Sequence, residues 1–124
     1  MSIEMDNEPR TVGLSHETKT KLDRLKSDGH FLEMMDAYKF AIGLALASSA
    51  IHPPLKNTTT FVNVGSLDSD RALYDIVKLL RDEADEPVYK TAERLAEWGI
   101  NELYAQTENG TIDFSAILLA VNRV

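Results

Sequence analysis

The residue types that carry out most enzyme chemistry are sparse in this chain and poorly spaced for it. There is no cysteine, which excludes a thiolate metal site and a cysteine nucleophile. The three histidines, His16, His30 and His52, never stand three or four residues apart, so no helical zinc pair is present. Ser15 and His16 are adjacent, and adjacent side chains at the start of a helix point apart, which argues against a nucleophile–base pair.

Two groups of acidic residues are better explained by helix ends than by a metal site. Asp68 and Asp70 stand where a helix should begin, and no third acid follows at the spacing of a calcium loop. The other group surrounds the helix boundary before Pro87 and consists of Asp82, Glu83, Asp85 and Glu86. With no convergent acid, base, nucleophile or metal set, we expect no catalytic residue, no metal, no cofactor and no enzyme activity.

One segment is locally basic in a chain whose net charge is −7. Residues 1–57 hold seven basic and eight acidic side chains, whereas residues 58–124 hold six and twelve. The chain as a whole therefore repels nucleic acid, and DNA could approach only the basic segment. The predicted DNA-contacting residues are Arg10, Thr11, Lys19, Lys21, Arg24 and Lys26. The alternative is that these cations merely solvate one face of a helix.

A mainly α-helical fold must position these residues. Hydrophobic periodicity and capping residues predict about five helices and one or two short extended segments. The helices are expected over residues 16–27, 31–49, 70–84 and 88–106 and after residue 111, and the extended segments over 10–14 and 58–64. We expect a single domain over residues 1–124. Its parts would be a flexible tail (1–9), an oligomerisation unit (10–50) and an acidic helical part (58–124).

The second predicted helix carries no charge between Phe40 and Ala47. Past Lys39 it is apolar on both faces, which is typical of a helix that is buried all round. The simplest cover in so short a chain is the same helix of another copy. The alternative is that the three later segments of the same chain cover it. The predicted oligomer interface comprises Met34, Met35, Tyr38, Phe40, Ala41, Ile42, Leu44 and Ala45.

The order of the first elements resembles the ribbon-helix-helix family of DNA-binding proteins. An extended RTVGL is followed by the polar helix SHETKTKLDRLKSDG and the apolar helix FLEMMDAYKFAIGLAL, over about 40 residues. In that family two chains pair their strands into a ribbon that enters the major groove of DNA. The resemblance implies a dimer or higher oligomer that binds DNA.

A second resemblance is to small proteins of DNA phosphorothioation (Dnd) systems. It rests on a pattern around the second helix, made by Gly29, Phe31, Met34, Asp36, Ala37, Phe40, Ala41 and Leu44, and on the segment from Thr91 to Leu103, TAERLAEWGINEL. This resemblance implies an accessory or regulatory protein of a DNA-modification or defence system.

Two function classes therefore remain open. The first is an oligomeric DNA-binding regulator or accessory protein. The second is a protein-interaction module that docks a basic partner, such as a DNA-modification protein, without contacting DNA. We expect a cytoplasmic protein without a membrane partner, since the longest uncharged run, about 16 residues from Phe40 to Leu55, is too short to span a bilayer.

Overall fold

A computed structural model of the chain describes residues 8–49, 52–81 and 86–107. These residues form five helices and one two-stranded antiparallel sheet. In chain order the elements are β1 (Thr11–Ser15), α1 (His16–Ser27), α2 (Met34–Ser48), β2 (Thr58–Asn63), α3 (Val64–Leu67), α4 (Ala72–Leu80) and α5 (Val88–Thr107). The predicted fold class, mainly α with about five helices, is confirmed.

Helix α1 begins and ends at the residues that the sequence indicates. The Ser15 side chain accepts a hydrogen bond from the backbone N–H of Thr18, which satisfies one of the free donors at the helix start. Gly29 follows the helix with a φ of +84°, a left-handed conformation that costs glycine little. The helix turns a narrow stripe of Thr18, Leu22 and Leu25 into the core and leaves its charged residues outside.

The centre of the fold is the packing of α2 against α5. Ala41, Ile42 and Ala45 of α2 are fully buried within the chain, as are Leu95 and Ile100 of α5. The chain's own helix α5 therefore covers one face of the uncharged segment, whereas the second predicted alternative had the three later segments cover it. The opposite face, which includes Gly43, is exposed.

Strands β1 and β2 form an antiparallel ribbon with a bulge. Val12 pairs with Val62 and Gly13 pairs with Thr60, so Phe61 is the extra residue. A Cβ at Gly13 would lie 2.9 Å from the carbonyl carbon of Thr59, so this position has no room for a larger residue. The bulge allows the Phe61 ring to pack on the ring of Tyr38, with their centroids 5.2 Å apart.

This pairing differs from the ribbon-helix-helix arrangement, and that part of the prediction is not confirmed. There, β1 would pair with β1 of a second chain, whereas here it pairs with β2 of the same chain. Side chains of α5 and α2 occupy the other edge of β1, as described below. Neither edge of β1 is available for another strand over these residues.

The region between the ribbon and α5 also differs from expectation. The helix predicted over residues 70–84 spans only Ala72–Leu80, and a four-residue helix, α3, precedes it. The prediction of a helix after residue 111 lies outside the described residues. Among the helices that the structure does describe, none combines the length and hydropathy needed to cross a bilayer.

Candidate nucleic-acid interface

Two buried glutamates of α5 hold the inner edge of β1. Glu93 accepts a hydrogen bond from the backbone N–H of Gly13 at 2.8 Å, and Glu97 accepts one from that of Ser15 at 3.0 Å. The two carboxylates are one helical turn apart, and the two N–H groups are two residues apart on one side of the strand. The exposed fractions of Glu93 and Glu97 are 5% and 3%. The glutamates thus take the place of a third strand along β1.

Glu97 is the centre of a wider polar network. Its Oε2 accepts hydrogen bonds from the hydroxyls of Ser15, at 2.7 Å, and Thr18, at 2.6 Å. The Asn101 side chain, one turn later in α5, donates to Thr18 Oγ1 at 3.1 Å and accepts from Lys21 at 2.6 Å. The network ties the strand, the start of α1 and α5 into one unit.

Tyr38 of α2 completes the hold on this same edge of β1. Its hydroxyl donates to the carbonyl oxygen of Gly13 at 2.9 Å. Burial raises the pKa of the Tyr38 hydroxyl well above its usual value, and the nearby charges of Glu93 and Glu97 raise it further. The tyrosine therefore keeps its proton and remains a donor.

Two aspartates that precede α4 stabilise the start of that helix. Asp68 accepts from the backbone N–H groups of Leu73 and Tyr74, both at 2.9 Å, and from the Tyr89 hydroxyl at 2.8 Å. Asp70 accepts from the backbone N–H of Ala72 at 3.1 Å. Both aspartates therefore act at the start of α4, in accord with the predicted caps.

Within the three described segments, no group of three His, Cys, Asp or Glu residues could hold a metal ion. Of the acidic group predicted around the helix boundary before Pro87, only Glu86 is described. It accepts from the Thr91 hydroxyl and pairs with Arg94. These contacts give Glu86 a structural role at the start of α5.

The predicted DNA-contacting cations of α1 do not share one face. At 3.6 residues per turn, Lys19 and Lys26 lie on one flank of the buried stripe, while Lys21 and Arg24 lie on the other. Lys19 pairs with Asp23 at 2.7 Å. The other two predicted residues, Arg10 and Thr11, are exposed at the far end of β1. The structure thus presents two basic flanks rather than one continuous stripe.

Like Lys19, the side chains of Lys21 and Arg24 have partners that restrain them. Lys21 donates to Asn101 and lies 5.7 Å from the centre of the Tyr104 ring. The guanidinium of Arg24 is 3.7 Å from the carboxylate of Asp28, and both side chains are largely exposed. Contacts of this kind on a surface are weak, so the α1 cations could exchange them for phosphates.

The predicted oligomer interface divides into two sets. Tyr38, Ala41, Ile42 and Ala45 have no exposed surface, because they pack within the chain. A second copy could contact these four only if that packing opened, so their place in the core corrects the predicted set. The other four predicted residues are at least partly accessible, and their part in an interface stays a prediction: Met34, Met35, Phe40 and Leu44.

Sequence reasoning missed the role of Glu93 and Glu97. The signal was present, since these acids are four residues apart and are interleaved with Ala92, Leu95 and Ala96, which predict a buried face. A glutamate on a buried helix face needs a donor partner. The sequence could not show that the donors would be backbone N–H groups some eighty residues away.

Comparison with known proteins gives one informative similarity. No family model and no curated protein matches the chain. Among solved structures it is similar to DndE from Escherichia coli B7A, which is described as involved in DNA phosphorothioation modification. The TM-score is 0.60 at 21% sequence identity, and the match covers 78% of this chain and 98% of that one. The resemblance to small proteins of Dnd systems is thereby confirmed as a similarity of structure, and the chain has the fold of DndE.

Proposed function

We propose that this chain is a non-catalytic accessory or regulatory protein of a DNA phosphorothioation or related defence system, and that it acts in the cytoplasm as an oligomer that binds DNA. The observation that carries the proposal is the shared fold, which spans 98% of the DndE chain. The residue pattern from Gly29 to Leu44 led to the same group of proteins independently of the structure.

A non-catalytic role is supported by the hydrogen bonds of the described acids, which hold other elements of the fold in place. Glu93 and Glu97 hold β1, Asp68 holds the start of α4, and Glu8 accepts from the backbone N–H groups of Val88 and Tyr89. Each of these carboxylates is occupied as an acceptor for backbone N–H groups, which supports a structural role for it.

DNA binding is supported by the concentration of cations near the N-terminus of an otherwise acidic chain. Helix α1 carries four basic and two acidic residues. Contact of five cations with phosphates would give a slope of roughly −4 in log affinity against log salt. We expect fluorescence anisotropy to detect binding of duplex DNA at low salt, and no binding at low salt would remove DNA from the proposal.

Oligomerisation is supported by the exposed side of α2. The side chain of Phe40 is 37% exposed, and Met34, Met35 and Leu44 are only partly covered. A symmetric pairing through this side would bury it. Light scattering should give a mass of at least twice 13.8 kDa. A mass of 13.8 kDa at high protein concentration would exclude this part of the proposal.

The role in DNA modification is tested by deleting the gene in its host. Loss or redistribution of phosphorothioate linkages, measured by mass spectrometry of digested genomic DNA, is the expected result. Reintroduction of the gene should restore the linkages. A host genome that contains no phosphorothioate linkages before the deletion would contradict the proposal.

A second candidate function is the docking of a basic protein partner without DNA contact. It is favoured by α4, where Ile76, Leu79 and Leu80 are 45%, 77% and 46% exposed, in a chain with a net charge of −7. Exposed apolar side chains on one short helix are typical of a protein-interaction surface. Co-purification with a DNA-modification protein, together with no DNA binding at low salt, would favour this function.

A further inference from the structure

Strand β2 has an outer edge that faces away from β1. In an antiparallel pair, opposite residues that do not hydrogen-bond to each other both direct their backbone N–H and C=O groups away from the partner strand. Gly13 and Ser15 of β1 are residues of this kind, since they donate their N–H groups to α5. Their partners in β2 are Thr60 and Thr58. The backbone groups of these two threonines therefore point outward from the ribbon.

This outer edge is accessible over the first half of β2. No described residue hydrogen-bonds to the outward backbone groups of Thr58 and Thr60. The residues Thr58, Thr59 and Thr60 are all exposed. Because successive side chains of a strand lie on opposite faces, both faces of β2 are open to solvent here. The first half of β2 is thus a template to which another strand can add.

The same edge lacks the devices that usually prevent strand addition. Natural proteins protect an edge strand with charged side chains, prolines, bulges or a covering element. The sequence of β2, TTTFVN, has no charge and no proline. Its bulge lies at Phe61, so the bulge disturbs the second half of the strand and leaves Thr58 to Thr60 in regular register with β1. Threonine is β-branched and favours strands, so these three residues are suited to pair with a further strand.

A second copy of the chain fits this edge in charge. Two copies with a net charge of −7 each repel one another over most of their surface. None of the 20 Asp and Glu residues lies between residues 37 and 67, the stretch that contains β2. The charged residue nearest before the strand is a cation, Lys56. Pairing through β2 therefore joins two copies by segments that carry no carboxylate.

We propose that β2 pairs antiparallel with β2 of a second copy, so that the two ribbons join into one four-stranded sheet. The inference rests on the proposed oligomerisation and places a contact between copies at β2, separate from the exposed side of α2. Thr58 and Thr60 are the outward-facing residues before the bulge, so the two-fold axis passes through the position of Thr59. Thr58 of each copy then exchanges backbone hydrogen bonds with Thr60 of the partner subunit. Strand β1 stays paired within its own chain.

The hold on β1 by Glu93 and Glu97 gives β2 the rigidity that such a contact needs. An isolated two-stranded hairpin is marginally stable in water, whereas a sheet of three or more strands is more stable. Here β1 is fixed along its other edge by two carboxylates and by the Tyr38 hydroxyl. The edge of β2 is therefore presented in one geometry, which reduces the entropy that association costs.

The first experiment measures self-association of the full chain by light scattering over a range of protein concentrations. Thr60→Pro removes the outward N–H of residue 60, a group that the ribbon itself does not use, and proline is tolerated at such a position of an edge strand. Thr11→Pro is the matched control, because Thr11 is the exposed first residue of β1, where proline is also tolerated. Circular dichroism checks that both variants keep the fold.

The second experiment is disulfide cross-linking, which tests the pairing even if the proline variant folds poorly. The chain has no cysteine, so Thr59→Cys introduces a single thiol. On the proposed axis the Cα atoms of the two copies of residue 59 would lie about 4.5 Å apart, a separation that a disulfide spans. Ala105→Cys, at an exposed position of α5, is the control. Oxidised glutathione is the oxidant, and a non-reducing gel measures the covalent dimer.

Thr60→Pro should weaken self-association about tenfold or more, because each copy loses a donor at the shared edge, whereas Thr11→Pro should associate within about twofold of the parent. Thr59→Cys should form the covalent dimer much faster than Ala105→Cys. If the parent is an oligomer, parent-like association of a folded Thr60→Pro, or cross-linking of Thr59→Cys no faster than the control, would overturn the inference and leave the proposed oligomerisation standing. A parent mass of 13.8 kDa at high protein concentration would overturn both.

Discussion

Gly99 of α5 lies directly against the backbone of Ala41 in α2. A Cβ atom at Gly99 would lie 2.6 Å from both the carbonyl carbon and the Cα of Ala41, a separation that packed atoms do not adopt. The contact is made by main-chain atoms, so no side-chain rotation can relieve it. The absence of a side chain at Gly99 therefore sets how closely the two central helices approach.

Replacing Gly99 with alanine should destabilise the protein although alanine is the better helix former. The two helices would have to separate along a buried contact, at a cost of about 1–3 kcal/mol or more. The control is Gly43→Ala in α2, where a Cβ meets nothing within 4 Å. That variant should be more stable by up to about 1 kcal/mol, because alanine favours a helix over glycine. Urea denaturation followed by circular dichroism measures both changes, and equal effects of the two variants would contradict this account of the packing.

The fixing of β1 by Glu97 gives a second prediction. Glu97→Gln keeps the size of the side chain but replaces one acceptor oxygen with a donor, in a site made of the Ser15 N–H, the Ser15 hydroxyl and the Thr18 hydroxyl. At least one buried donor loses its partner, and the free energy of unfolding should fall by about 2–3 kcal/mol. Glu102→Gln, at an exposed position of the same helix, should change it by less than about 0.5 kcal/mol. A similar loss in the two variants would show that Glu97 acts only through its charge.

The helices and strands were predicted well because the residues that indicate each element lie within it or next to it. Ser15 and Gly29 marked the two ends of α1, and the run from Val88 predicted the start of α5. The two extended segments were also predicted, as β1 and β2. Caps, turns and helical periodicity depend on residues within a few positions of each other, so a single sequence carries them.

The partners of these elements could not be predicted in the same way. No residue near β1 indicates that its partner is β2 rather than β1 of another chain, because strand pairing depends on residues about fifty positions away. The close approach at Gly99 likewise depends on Ala41. The uncharged segment from Phe40 to Ala47 therefore predicted burial correctly for Ala41, Ile42 and Ala45 but could not show that α5 covers them.

The exposed apolar side chains of α4 give a third prediction. Leu79 is 77% exposed, so it contributes little to the core, and Leu79→Glu should change the free energy of unfolding by less than about 0.5 kcal/mol. Val77→Ala is the internal comparison, since Val77 is 1% exposed and its truncation should cost at least about 1 kcal/mol. If α4 docks a partner, Leu79→Glu should also abolish co-purification of that partner. A large loss of stability in Leu79→Glu would mean that the side chain is covered in solution.

Alkaline solution should destabilise the protein because two tyrosines hold their protons more tightly in the folded state. Burial raises the pKa of Tyr38 well above its usual value, with smaller contributions from Glu93 and Glu97. Burial also raises the pKa of Tyr89, and its hydrogen bond to Asp68 adds to the effect. In the unfolded chain both tyrosines lose their protons near pH 10. Above that pH the unfolded state binds fewer protons than the folded state, so the free energy of unfolding falls as pH rises.

The contribution of each tyrosine is complete below about pH 10 and is lost at up to about 1.4 kcal/mol per pH unit above it, until the folded-state pKa is reached. Urea denaturation at several pH values between about 8 and 11 measures the slope. Tyr38→Phe should lower stability at neutral pH, since the carbonyl of Gly13 loses its donor, and should also give a shallower slope above about pH 10. The two effects are separable, because a purely structural loss would lower the whole curve without changing its slope, and parallel curves for the parent and Tyr38→Phe would contradict the assignment of the raised pKa to Tyr38.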